Sequence, residues 1–354
     1  MRRWRNPPSF LFVIEVEQQY NSGMSLLDKK ENKIDFNYDE LNLNNKKRVN
    51  LFSWQGQFSL EFVYKILNKY TSENDIVFDP FVGSGTVLVE AARLGLKCGG
   101  NELNYAPYTF SRFYKYCNIH EDERKNNTEM KKVFEEIISI IGENKREKLI
   151  TKMMNLPYSE KEVTVVQGDA RNMQDIEDDF CSFVLTSPPY INVLNYHQQY
   201  RKEVEHLGEN VLATAKNEIG ANRKNRGNRF LTIRDYIFEM ADVLGEISRI
   251  CIKGGRVVFV VGRRTTVNGC EVNNSEILYQ LCKMLGFEYL TRQERQFKNR
   301  FGKIITEDVI HFENSKKFNN DKSIIVEYVI SVFKLLENEK NKMMIDEAIS
   351  RTSV

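Results

Sequence analysis

Residues 76–101 read IVFDPFVGSGTVLVEAARLGLKCGGN. The apolar run Ile76–Asp79 has strand character and ends on an acid, and the turn Phe81-Val82-Gly83-Ser84-Gly85 follows directly. Thr86–Leu94 then carries an apolar helical face, and Lys97–Asn101 reads as a second short strand. Strand, glycine-rich turn, helix and strand in that order open a doubly wound α/β sheet.

Working outward, Phe58–Tyr70 has helical spacing, whereas residues 1–50 are polar, Asn-punctuated, and read as an N-terminal arm or lobe. Residues 105–158 read as helical, too long for an ordinary crossover, and are expected to form a helical insertion. The alternation resumes with strands Val163–Val166, Phe183–Leu185 and Arg256–Val261 and helices from about Ile233 to Cys251 and over Ser275–Leu285. Past Gly286 the segments Phe287–Phe297, Thr306–Phe312 and Ile324–Phe333 all carry strand-like patterns, so the sheet is expected to close with an antiparallel edge. These readings give one α/β domain over 51–335 and a C-terminal tail, 336–354, with helical potential.

With 51 basic against 49 acidic residues the formal charge is +2, so any polyanion-binding surface must come from local segregation of charge. Six cysteines without a CxxC pair point to a reduced, cytoplasmic protein. Neither a signal peptide nor a membrane span is legible in the N-terminal run, and the four histidines lack metal-ligand spacing, so no metal is expected.

The turn after Asp79 leads straight into a helix, which leaves backbone N–H groups and the positive helix end facing whatever binds there. Glu102 lies just past the second strand, where a carboxylate can accept both hydroxyl hydrogens of a ribose. Asp169, in Gln-Gly-Asp-Ala after the third strand, could accept from an adenine amino group. There is no GxxxxGK[ST] and no third glycine of a dinucleotide fingerprint, so a nucleoside without a phosphate chain fits best.

Ser187-Pro188-Pro189-Tyr190 follows the strand Phe183–Leu185 and so falls on the same edge of the sheet. Two prolines stiffen the backbone and remove two N–H donors, leaving carbonyls as acceptors. The exocyclic amine of a nucleobase is a poor nucleophile because its lone pair is delocalised into the ring. The Ser187 hydroxyl oxygen and the Pro188 carbonyl could take its two hydrogens and aim the lone pair. Tyr190 could stack on the base, an interaction worth roughly 1–3 kcal/mol.

These residues resemble the amino-methyltransferases of DNA, which modify adenine N6 or cytosine N4. In that family DPFxGxGT is the cofactor motif and a (D/N/S)PP(Y/F/W) tetrapeptide the catalytic one, matched here by Asp79–Thr86 and Ser187–Tyr190. The likeness takes in Phe52 to Ser59, Asn101-Glu102-Leu103-Asn104, Gly168-Asp169-Ala170 and Arg256–Gly262, roughly residues 50–290. It implies a Rossmann-like methyltransferase fold with a mainly parallel seven-stranded sheet, and S-adenosylmethionine as cofactor. The cofactor residues it implies are Phe58, Ser59, Asp79, Pro80, Phe81, Gly83, Ser84, Gly85, Thr86, Glu102, Leu103, Asp169 and Ala170. The catalytic set is Ser187, Pro188, Pro189 and Tyr190.

Serine at the head of the tetrapeptide resembles the cytosine-N4 variant, although the order of the two motifs is reversed in many cytosine enzymes. The alternatives kept open are DNA adenine N6, an RNA amino-methyltransferase acting on guanine N2 or adenine N6, and a catalytically silent nucleic-acid-binding subunit. Family resemblance implies double-stranded DNA with the target base flipped out, a restriction-modification setting and a cognate endonuclease. Phosphate contacts are expected from Arg223, Lys224, Arg226 and Arg229 and from Arg295, Lys298 and Arg300. The segments 191–230 and 291–316, and the helical insertion 105–158, are the candidate target readers.

Overall fold

The computed structural model describes residues 41, 50–52, 57–191, 218–220, 225, 227–298, 302, 304–319 and 321–352. The arm, most of 191–230, and Arg223, Lys224, Arg226 and Arg300 lie outside the described residues.

Nine strands are described: β1 (Ile76–Asp79), β2 (Lys97–Glu102), β3 (Val163–Gln167), β4 (Cys181–Thr186), β5 (Cys251–Gly262), β6 (Arg264–Val267), β7 (Cys270–Asn273), β8 (Phe287–Lys298) and β9 (Ile304–Asn314). Seven form one sheet in the order β3-β2-β1-β4-β5-β9-β8, and β6 and β7 make a separate small hairpin. Pairing is parallel from β3 through β5, whereas β9 runs antiparallel to both β5 and β8. The strand order reverses between β1 and β4, and in a doubly wound sheet a crevice opens beyond the carboxyl ends of the strands at such a reversal.

Helices cover both faces: α1 (Leu60–Tyr70), α2 (Thr86–Arg93), α3 (Tyr105–Arg112), α4 (Glu121–Arg124), α5 (Thr128–Ile141), α6 (Arg146–Met154), α7 (Phe230–Ile250), α8 (Asn274–Met284), α9 (Lys322–Leu336) and α10 (Lys342–Ser350). Strand β5 shows why both faces must be covered. Val257, Phe259 and Val261 point into a core shared with α7, α8 and α9, while Val258 and Val260 point into one shared with α1, α2 and α5. Successive side chains of a strand alternate in direction, so a run of consecutive apolar residues demands two apolar partners. The helical stretch between β2 and β3 belongs to the second of these cores, through Phe110, Phe113, Tyr114, Phe134 and Ile137.

The segment Ile324–Phe333, expected as a strand, lies within helix α9. Its β-branched residues favour strands locally, but Ile325, Tyr328, Val329, Val332, Phe333 and Leu336 recur at helical spacing and are all buried. The Asp321 side chain caps the helix by accepting from the Ser323 N–H at 2.9 Å. Tertiary burial of one face overrode local preference.

Candidate active site

The turn after β1 is set by its own residues. Asp79 Oδ1 accepts from the Phe81 N–H (3.0 Å) and from the Thr186 hydroxyl at the end of β4 (2.6 Å), tying the ends of the two neighbouring strands together. Val82 N–H donates to the Asn101 carbonyl (3.1 Å), which lays the turn across the end of β2. Gly85 then starts α2 with φ of 89°, a conformation that disfavours any side chain. A Cβ there would come within 2.5 Å of the Tyr114 ring, so this glycine is required by packing against the helical stretch rather than by the hollow in front of it.

That hollow is walled by Gln57 and Phe58, by Asp79 to Ser84, by Thr86 and Val87, by Asn101 to Asn104, by Gly168 to Ala170, and by Ser187, Pro189, Glu218 and Ile219. The glycine-rich turn, the acid at the end of β2, Asp169 and the start of the Ser-Pro-Pro-Tyr segment therefore face one cavity. Of the residues the sequence singled out, Ser59, Gly85, Pro188 and Tyr190 are not among its walls. Glu218 and Ile219 are walls that sequence reading did not single out, and Gln57, inside the Phe52–Ser59 stretch of the likeness, is one to which it gave no role. Gln57 donates to Ser84 Oγ and, at 2.8 Å, to the Phe52 carbonyl, so it buttresses the turn from the entry to α1. No local motif marks Glu218 and Ile219; only the return of the chain toward α7 brings them to the cavity.

Electrostatics distinguish the acids. Glu102 accepts from the Gly83 N–H (3.0 Å) and the Asn104 N–H (2.9 Å), yet burial pushes its carboxyl up to about 7, with Glu218 adding to the rise. Burial likewise raises Asp79 to about 7, against the pull of Thr186 and Phe81 and with help from Glu102. Asp169 is held differently, by Arg171 with Nη2 to Oδ2 at 2.5 Å and Nε to Oδ1 at 2.9 Å. Arg171 in turn reaches Glu239 at 3.1 Å.

The residues fit a nucleoside cofactor on two counts. A buried carboxylate that hydrogen bonds only partly compensate stands where hydroxyl donors would satisfy it, and apolar walls from Phe58, Leu103, Ala170 and Ile219 suit a planar ring.

Comparison with known proteins agrees. A model for the N6/N4 methyltransferases, described as DNA methylase, matches residues 11–111. A second, for the RMKL-like methyltransferase domain, matches residues 67–232. The chain is an S-adenosylmethionine-dependent methyltransferase, similar over its N-terminal third to the DNA amino-methylases. A search of curated proteins gave no match to this methyltransferase. Among solved structures it is similar to an S-adenosylmethionine-dependent methyltransferase from Methanosarcina mazei, at 12% identity over 70% of this chain and 96% of that one, with a TM-score of 0.40. A TehB-like methyltransferase from Corynebacterium glutamicum matches at 10% identity over 71% and 86% of the two chains, with a TM-score of 0.35.

The basic residues expected to meet nucleic acid part company. Arg295 is buried, 3.4 Å from Glu307, with its guanidinium 4.3 Å from the Phe62 ring centroid and 5.0 Å from that of Phe297. It is an internal strut, because it falls on the inward register of β8 with Thr291 and Gln293. Lys298 is exposed at the end of the same strand, and Arg229 is half-buried just before α7.

Proposed function

We propose that this methyltransferase modifies an exocyclic amino nitrogen in DNA, preferentially cytosine N4. The observation that carries the reading is the shared cavity: the turn Phe81–Ser84, Glu102, Ser187 and Pro189 line a single hollow beyond the carboxyl ends of β1, β2 and β4. Glu102 would accept the ribose hydroxyl hydrogens, Asp169 the adenine amino hydrogen, and the N–H groups of the turn would face the amino-acid tail. Gly83, Ser84 and Thr86 would line the tail's path, with Phe58, Leu103 and Ala170 against the ring.

The cofactor's methyl sulfonium supplies an electrophilic carbon. Ser187 Oγ in the cavity wall, with the carbonyl of Pro188 next to it in sequence, would accept the two hydrogens of the substrate amine and direct its lone pair into the cavity. As the new N–C bond forms and the methyl–sulfur bond breaks, leaving a neutral thioether, the acidified amine proton would leave through the same acceptors to solvent. The hollow lies beyond the carboxyl ends of the strands, so a base in a duplex would have to be turned out of the stack to reach it, at a cost of a few kcal/mol. Lys298 and Arg229, with the basic residues outside the described segments, would meet phosphates.

Serine at position 187 favours cytosine N4, and the matching family covers both N4 and N6 enzymes, so adenine N6 is the second reading. A cytoplasmic restriction-modification setting, with a partner endonuclease, is the biological context proposed. Nucleoside mass spectrometry of DNA and RNA from cells expressing the protein decides among these. N4-methylcytosine in DNA is expected; N6-methyladenine in DNA would shift the target, and modification confined to RNA would end the DNA reading.

A further inference from the structure

Tyr190, the aromatic member of the Ser-Pro-Pro-Tyr segment, is not among the cavity walls. Its ring packs on Gly262, where a Cβ would come within 3.0 Å of Tyr190 Cε2. Gly262 is the register partner of Glu307 across β5 and β9, and Glu307 is the partner of Arg295 across β9 and β8. One transverse row of three strands therefore supplies both the seat for the tyrosine ring and a carboxylate for its hydroxyl. Tyr190 Oη donates to Glu307 Oε1 at 3.4 Å, and Ser187 Oγ lies 3.3 Å from the same Oη.

Because the tyrosine hydrogen goes to the carboxylate, Oη can only accept from Ser187. We propose that Glu307 is a positioning residue that sets the polarity of this chain: its carboxylate takes the Tyr190 hydroxyl hydrogen, Tyr190 Oη takes that of Ser187, and Ser187 Oγ keeps its lone pairs for the cavity. The proposal rests on reading Ser187 as the acceptor of the substrate's amino hydrogen. Glu307 is buried enough that its carboxyl is raised, and Arg295, held over Phe62, opposes that rise and keeps an acceptor at Oε1. A protonated Glu307 could instead donate to Tyr190, reverse the chain, and leave Ser187 with one lone pair engaged and its O–H free to point at the cavity, a poorer acceptor for an amine hydrogen.

The test is steady-state methyl transfer from labelled S-adenosylmethionine to unmethylated duplex DNA by the full chain, with cofactor affinity measured separately. Glu307→Ala should lower kcat by roughly 10- to 100-fold, leaving cofactor Kd and the KM for DNA within about twofold, and Glu307→Gln, whose amide oxygen still accepts, should recover most of that loss. In a Tyr190→Phe background Glu307→Ala should add nothing further. To separate position from a stranded buried cation, the double variant Glu307→Ala with Arg295→Met should remain as slow as Glu307→Ala alone. Equal effects of Glu307→Ala with and without the tyrosine hydroxyl, or a double variant as fast as the parent, would overturn the proposal. If the parent transfers no label to DNA, it is the functional reading that fails. The seat is then judged by the Cζ resonance of carbon-13-labelled Tyr190: a shift in Glu307→Ala sustains the contact, and an unmoved resonance removes it.

Discussion

Buried carboxylates occur at both halves of the sheet edge, but the two halves neutralise them differently. Beside β1 and β2, Asp79 and Glu102 are held by hydroxyl and amide hydrogens, and among the described residues neither is ion-paired with a cation. Beside β8 and β9, Asp308 is fully buried yet has Arg263 at 2.6 Å, and Glu307 has Arg295 at 3.4 Å. Arg263 also reaches Glu294, so the second half carries a small ionic lattice. Burial raises the carboxyls of Asp79, Glu102 and Glu307 alike, but at Glu307 the Arg295 guanidinium opposes the rise, whereas Asp79 and Glu102 have only hydrogen bonds to set against it. The uncompensated pair fronts the cavity and awaits donors from a ligand, while the compensated set stiffens the strands behind the rim.

Several measurements would break or sharpen this contrast. The largest effect is expected from Glu102→Ala, which removes the proposed acceptor for the ribose hydroxyls. Cofactor Kd measured by calorimetry should rise about 100-fold or more, two charge-assisted hydrogen bonds being worth roughly 1.5–3 kcal/mol each. Unchanged affinity would mean that the acid is structural like its counterparts at β9. Ser187→Ala comes next, with turnover reduced about 10- to 100-fold and cofactor affinity spared; parallel loss of both would merge the two walls of the cavity into one function.

Gly85→Val should act through packing, because the new side chain meets Tyr114 at a position with φ of 89°. A drop in stability of about 1–3 kcal/mol or more is expected in thermal or urea unfolding. Loss of cofactor binding with full stability would instead return this glycine to the cavity wall.

A pH series separates the two halves next. Asp79 and Glu102 keep their protons in the folded chain up to about 7, whereas in the unfolded chain they release them near 3.8 and 4.5. Their contribution to stability is therefore full below those unfolded values and is lost as pH climbs through 7. The slope of urea-unfolding free energy between pH 5 and 7 should flatten in Asp79→Asn with Glu102→Gln. Since the ionised Glu102 is the better acceptor, cofactor affinity should rise about tenfold from roughly pH 6 to 8. An affinity indifferent to pH would sever ligand binding from the uncompensated acid. The smallest effect belongs to the surface: Lys298→Ala should weaken DNA binding only slightly and lower the salt dependence by about one phosphate's worth, whereas Arg295→Ala should lower stability instead.

Much of the cavity wall at β1 and β2 was legible in sequence because it is built from contiguous residues. Strand, Gly83 and Gly85 turn, and helix must be consecutive for a helix end to face a strand end, so Ile76–Asp79 and Thr86–Arg93 appear within a residue of where they were expected. The charge of 291–303 was legible as composition but not as direction, and so Arg295 was grouped with exposed Lys298 although the pleat turns it inward. Helix α9 was hidden for a related reason: β-branched residues state a local preference, and only neighbouring α7 and α10 make its helical face worth burying.

The sequence alone determined that the chain would wind a mainly parallel sheet and present a glycine-rich turn, two acids and a serine-proline-proline-tyrosine segment at successive strand ends, since those are properties of local spacing. Tertiary structure alone decided which of them face one hollow, which acids lack a cation, and that a row across β5, β9 and β8 seats Tyr190. Those outcomes depend on strand register and on chain returns such as that between Tyr190 and Glu307, 117 residues apart, and a contact of that kind leaves no trace in the spacing of neighbouring residues.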